Sequence, residues 1–211
     1  MRLSWVRFNS RSPPESITRA MFGTVTVGAK AFSRMAICAS FGKTTTSLDR
    51  GVAEADLVVV CTPVDNVVDH VCAVAEEADS GTLITDVGST KRRIVAAARA
   101  HCGEGIYFVG GHPMAGSEKS GVSAADPFLF QNAIYILVPD ASVPVDRYRA
   151  FVEMLRLIGA RVLELDADYH DRAVAAISHL PQMMATSLVE MVGRLNEDRD
   201  HYLPLAAGGF R

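Results

Sequence analysis

His112 and Glu118 stand six residues apart in the stretch Val109–Gly121, VGGHPMAGSEKSG. An imidazole titrates near neutrality, and a nearby carboxylate can orient it or hold a second charge, so the pair suits proton transfer. Gly110 and Gly111 let the backbone turn sharply or approach a ligand closely. Pro113 biases His112 to an extended conformation. The preceding apolar run, Ile106-Tyr107-Phe108-Val109, reads as a buried strand, which puts His112 on a loop at a strand end. The same residues also fit a polar turn with an incidental histidine, and Glu118 also fits a solvated charge.

Two other turns stand at strand ends: Thr62-Pro63, and Gly88-Ser89-Thr90-Lys91. In open α/β sheets, ligands bind beyond the carboxyl ends of the strands. The second turn fits an anion site at a helix N-terminus, and it equally fits an ordinary N-cap. His179, beside Leu180-Pro181, reads by default as a core histidine, and His170-Asp171 fits a helix-start pair. His70, His101 and His201 show no partner pattern and receive no role.

The elements that position these residues are read from composition and periodicity. The 211 residues are 49% apolar and 21% charged, as expected of a globular chain with a substantial core. A net charge of −3 gives no reason to expect a nucleic-acid partner, and no apolar run is long enough to span a membrane. Cys38, Cys61, Cys72 and Cys102 lack CxxC spacing, so reduced thiols in a cytoplasmic protein are expected, with no metal site. Residues 1–50 carry a net charge of +6 and the remainder −9; this Arg- and Ser-rich start resembles a transit peptide less than it fits a cytoplasmic chain.

From Thr44 the pattern becomes regular. Ser47 is a candidate cap for a helix over residues 48–54. Leu57-Val58-Val59-Val60-Cys61 is a β-branched run typical of a parallel strand buried on both faces. A helix over residues 64–78 follows, with Val67, Val68, Val71, Val74 and Ala75 on one face. The unit repeats with a strand over 82–86, a helix over 90–101 and a strand over 106–109. A strand over 133–138, a helix capped at Ser142 and stopped by Gly159, and a strand over 161–165 close the series. This alternation predicts an α/β fold with a doubly wound, mostly parallel, Rossmann-like sheet over residues 1–165. Residues 1–43 are atypical: Thr24–Val27 fits a short strand and Ala29–Ala39 a helix, without a G-x-G-x-x-G turn. Residues 169–195 form one long helical pattern, broken only near Leu180-Pro181, and predict the start of an all-helical second domain over 166–211.

Together DLVVVCTPV, ITDVGSTK, FVGGHPMAGSEKSG, YHDRAVAAISHLP and LAAGGFR, in this order, resemble the prephenate dehydrogenase family over about Thr44 to Arg211. The resemblance implies NAD(P)-dependent oxidative decarboxylation of prephenate to 4-hydroxyphenylpyruvate in tyrosine synthesis, with NAD or NADP as cofactor. It implies His112 as the catalytic histidine that accepts the proton of the substrate's ring hydroxyl. Ser89 would hydrogen-bond that hydroxyl and His112, and Glu118 would gate or polarise the pocket. The implied substrate set is His170, His179, Gln182 and Gly116, and the implied cofactor set Thr62, Pro63, Val64, Asp86 and Gly88.

The chain departs from the family pattern in three places. The family's opening strand and Gly-rich turn are absent from residues 1–43. Gln182 stands where the family has a second histidine, and an amide cannot act as an imidazolium. The family continues beyond the equivalent of Arg211 with a substrate-binding arginine and its dimer helices. A truncated chain, inactive or nearly so and prone to self-association through Val174, Ile177, Met184, Leu188 and Met191, is therefore expected, with the family's homodimer compromised. The alternatives are an arogenate dehydrogenase and a non-catalytic, binding-only remnant. A β-hydroxyacid dehydrogenase needs a helix-borne lysine in the second domain, and no lysine follows Lys119.

Overall fold

A computed structural model of the chain describes residues 7–8, 48–53, 55–116, 126, 128–198, 201–202 and 204–205. The expected strand at Thr24–Val27, the helix at Ala29–Ala39, the Ser47 cap and Glu118 lie outside the described residues. The chain divides into two compact units, Met1–His170 and Asp171–Arg211.

The first unit is an α/β structure. Its elements are β1 (Arg7–Phe8), α1 (Leu48–Val52), β2 (Leu57–Val60), α2 (Val64–Glu77), β3 (Leu83–Asp86), α3 (Arg92–His101), β4 (Tyr107–Pro113), β5 (Ile134–Val138), α4 (Val145–Leu157) and β6 (Arg161–Glu164). The strands form a sheet in the order β1-β2-β3-β4-β5-β6. Pairing is parallel for β2–β3, β3–β4 and β5–β6, and antiparallel for β1–β2 and β4–β5. The sheet is therefore mostly parallel, as the alternation of elements requires.

Helices cover both faces. All four residues of β2 are buried, as a strand sandwiched on both sides must be. Val58, Val60, Ile84 and Phe108 face α2 and α3, where they pack with Val67, Val71, Val74, Ile94 and Ala98. The alternate positions, Leu57, Val59, Leu83 and Val109, face α4 with Phe151, Val152 and Leu155. The period-2 alternation of the strands thus feeds two cores from one sheet. Gly159, at φ +89°, ends α4 in a conformation that only glycine adopts without strain. Ser142 does not cap α4. Its N–H and hydroxyl both bond to Asp140 Oδ1, at 2.9 and 2.7 Å, and Pro144 occupies the cap position.

β4 is longer than the apolar run that predicted it. Its first half pairs with β3, from Tyr107 to Val109; its second half, Gly110 to Pro113, pairs with Val138 to Tyr135 of β5. His112 is consequently a strand residue, not a loop residue. The antiparallel partner β5 continues the ladder through two glycines that local propensity reads as a break.

After β6 the chain enters α5 (Ala167–Val174), a π-helical segment (Ala175–His179) and α6 (Leu180–Asp198). The interruption expected at Leu180-Pro181 takes the form of this π segment, which ends at His179, directly before Leu180-Pro181. Pro181 lacks an N–H and its ring clashes with the carbonyl four residues back, Ile177, so a wider turn there relieves both problems. In the second unit, Ile177, Leu180, Met183, Met184, Leu188, Val189 and Met191 are exposed, whereas Val174 is buried. Among the described residues, no helix is long and apolar enough to cross a membrane.

Candidate active site

Three strands, β2, β3 and β4, deliver their carboxyl ends to one edge of the first unit. The turn after β2 holds Thr62, buried, and Pro63, half-buried, before α2 begins at Val64. Pro63 occupies the cap position of α2 without a side-chain cap bond. Within that first turn of the 14-residue helix the Asn66 N–H donates to the Pro63 carbonyl at 2.8 Å, and no side chain caps the N–H groups before it.

The turn after β3 is built on Asp86, whose side chain is fully buried. Its Oδ2 accepts the Gly88 N–H at 2.8 Å and the Lys91 ammonium, and its Oδ1 accepts the Gly111 N–H at 3.1 Å. Burial pushes the Asp86 carboxyl above the ordinary carboxylate range, against the opposing pull of Lys91 and the two N–H groups. One carboxylate thereby ties the turn that carries Ser89 to the strand that carries His112. Gly111 makes the approach possible: a Cβ there would lie 2.4 Å from the Asp86 carbonyl oxygen. In the sequence Lys91 closes a turn that fits an anion site or an ordinary N-cap. The structure turns its side chain inward instead, fully buried on Asp86, and α3 begins only at Arg92 with no Ser or Thr cap. Ser89 remains half-buried on the bend.

His112 projects from the half of β4 that extends past the end of β3 and is almost wholly buried. Its Nδ1 lies 2.8 Å from Nε2 of His170, a fully buried residue of α5. The rings meet edge to face, with centroids 5.1 Å apart and planes inclined at 69°. One nitrogen donates and the other accepts, so the contact couples the tautomers of the two rings. His170 is thus more than a helix-start residue: it crosses 58 positions of sequence to reach His112.

Of the other expected site residues, Val64 is exposed and Gly88 buried beside Asp86, Gly116 is exposed, and Glu118 lies outside the described residues. His179 and Gln182 belong to the second unit, where Gln182 Nε2 donates to Thr186 Oγ1 at 3.5 Å. Two residues with structural claims on the site were missed. Lys91 could not be paired without the fold. His70 could have been found, because it shares the apolar face of α2 with Val67, Val71 and Val74; its Nδ1 lies 3.2 Å from Thr62 Oγ1. Among the described residues, no group of three or more His, Cys, Asp or Glu is arranged to hold a metal ion.

Comparison with known proteins follows this geometry. Residues 22–164 match the family described as prephenate dehydrogenase, nucleotide-binding domain, and residues 166–211 match prephenate dehydrogenase, dimerization domain. The chain is 41% identical over 165 residues to a prephenate dehydrogenase of Bacillus subtilis, covering 76% of this chain and 44% of that protein. It is 38% identical over 166 residues to the prephenate dehydrogenase of Lactococcus lactis, covering 78% and 45%. The chain thus spans less than half the length of these relatives. Among solved structures it resembles prephenate dehydrogenase from A. aeolicus in complex with hydroxyphenyl propionate and NAD+. That likeness has a TM-score of 0.64 and 28% identity, covering 71% of this chain and 52% of that one.

Proposed function

The chain belongs to the prephenate dehydrogenase family, and from that premise we propose that it catalyses the NAD(P)-dependent oxidative decarboxylation of prephenate to 4-hydroxyphenylpyruvate. The observation that carries the reading is His112, buried on the projecting end of β4 with Nδ1 held against His170. We assign proton exchange with the substrate to Nε2, the ring nitrogen not held against His170. His112 Nε2 accepts the proton of the substrate's ring hydroxyl as hydride leaves the carbon that bears it. The ring carboxylate departs as carbon dioxide and the ring becomes aromatic. Bound at the strand ends, the nicotinamide would supply the hydride acceptor.

The residues present fit a dinucleotide. Thr62, Pro63, Val64 and Gly88 are the proposed cofactor set, at strand ends where such ligands bind, and the uncapped N-terminus of α2 offers N–H donors to phosphate. Asp86 serves that set from behind by fixing Gly88. Ser89 and Glu118 complete the proposed catalytic group, and His170, Gly116, His179 and Gln182 the substrate set. The proposed domains are a cofactor domain over residues 1–165 and a substrate and dimerisation domain over 166–211, in keeping with the two family matches. The proposed setting is cytoplasmic, where an enzyme of amino-acid biosynthesis would act.

Calorimetric titration with NAD and NADP, followed by an absorbance assay with prephenate and with arogenate, tests the proposal. Dissociation constants of about 1 μM to 1 mM for one dinucleotide and prephenate-dependent formation of the reduced cofactor are expected of the proposal; the inactive chain that the departures from the family pattern imply is the opposing outcome. Binding without turnover on either substrate would remove the oxidoreductase half of the proposal. Binding of neither dinucleotide would remove all of it.

We also propose that the second unit pairs with a second copy of the chain. Its exposed Ile177, Leu180, Met184, Leu188 and Met191 present an apolar surface that water disfavours by about 1.5–3 kcal/mol per large side chain. The family match over this segment is to a dimerization domain. Size-exclusion chromatography with light scattering is expected to give a mass above that of the 22.7 kDa monomer. A monomer at all concentrations would sink the pairing.

A further inference from the structure

The buried face of α2 contains one residue that does not belong to an apolar core. Val67, Val71, Val74 and Ala75 pack on the sheet, and His70 sits among them, 7% exposed. A buried imidazole brings polar nitrogens that must be satisfied, and an apolar side chain at that position would pack without this demand. The contact it makes accounts for its presence. Helical side chains lean toward the helix N-terminus. His70 leans back to the start of α2, where its Nδ1 meets the Thr62 hydroxyl at 3.2 Å, with both residues buried. Thr62 is the second residue after β2, in the turn where the chain leaves the sheet for the helix.

We propose that His70 is a positioning residue for the dinucleotide site. Through its hydrogen bond it fixes the rotamer of the Thr62 hydroxyl and with it the Thr62-Pro63 turn. The inference rests on the reading of that turn as part of the cofactor site. A threonine hydroxyl carries one proton and accepts as well. Bonded on one side to His70, it offers its remaining valence in one fixed direction, and a ligand at the strand end meets an oriented group in place of a rotor. Pre-organisation of this kind lowers the cost of ordering at the moment of binding.

The test is a set of variants in the full chain: His70→Phe, which keeps the ring without its nitrogens; His70→Asn, which keeps a hydrogen-bonding group near the position of Nδ1; Thr62→Val; and the double variant His70→Phe/Thr62→Val. Thermal melting and calorimetric titration with NAD and NADP are measured on each. His70→Phe is expected to weaken binding by about fivefold or more, His70→Asn to restore most of the loss, and the double variant to bind no more weakly than Thr62→Val alone. Wild-type affinity in a folded His70→Phe overturns the proposal, as do equal losses in His70→Phe and His70→Asn, or losses that multiply in the double variant. Failure of His70→Phe and His70→Asn to fold would assign the residue to stability and overturn it too. A wild-type chain that binds neither dinucleotide overturns the cofactor reading together with this inference. Binding by wild type with His70→Phe unchanged overturns this inference alone.

Discussion

His112→Asn, made at the equivalent histidine of a complete active relative, is expected to lower prephenate turnover by about 10²–10⁴-fold, the usual cost of losing a positioned general base. An amide can occupy the same space and hydrogen-bond the substrate hydroxyl, but it cannot take up a proton near neutral pH. The loss should fall on kcat far more than on dinucleotide affinity. His112 stands on the part of β4 that extends past β3, whereas the proposed cofactor contacts lie on the turns after β2 and β3. Calorimetry on the variant is therefore expected to return a Kd for NAD or NADP within about threefold of wild type, as befits loss of an interaction made in the transition state only. An unchanged kcat would take His112 out of the mechanism. A collapse of cofactor binding with kcat preserved would move it to the dinucleotide.

The second large effect is expected at the Asp86–Lys91 pair, where both side chains have no exposed surface. Lys91→Met leaves a carboxylate buried with only the Gly88 and Gly111 N–H groups to balance it. Removing one partner of such a pair costs about 3–5 kcal/mol, because the remaining charge is uncompensated. The pH dependence has a definite sign. Burial already raises the Asp86 carboxyl, and Lys91 is what opposes the rise. Without Lys91 the folded-state pKa climbs further above its unfolded value. A group shifted in that direction destabilises the fold as pH rises from the unfolded toward the folded pKa, and ceases to do so at low pH, where Asp86 folds protonated. The denaturation midpoint of Lys91→Met should therefore fall well below wild type at neutral pH and approach it on acidification. The double variant Asp86→Asn/Lys91→Met, which buries no charge, should recover much of the loss. A Lys91→Met variant as stable as wild type at neutral pH would show that the pair is not the anchor of this edge. The variant should also lose turnover, because the same carboxylate holds the Gly111 N–H one residue before His112.

Much of the architecture was legible in local pattern. The β-branched run at Leu57–Val60 is typical of a strand buried on both faces, and the 3.6-residue spacing of valines in α2 marks one apolar helix face. Gly159 marks the end of α4 because the chain there needs a positive φ. The strand-end turns and the motif around His112 were legible for the same reason. Residue types within a short window determine which conformations and which chemistry are available, and the family resemblance is carried by those windows. The partners of the polar side chains were not legible. Lys91 stands in the sequence only as the last residue of a candidate anion turn; its inward side chain passes Gly110, 19 positions on, where a Cβ would lie 3.2 Å from Lys91 Cδ. His112 read as a loop residue because two glycines precede it, and it is a strand residue because β5 supplies the opposite half of a ladder. His170 and His70 carried no local signature of the groups they touch. Periodicity states which face of an element is apolar. Which donor meets which acceptor is decided by register and by the approach of segments distant in the chain, and those exist only in the folded structure.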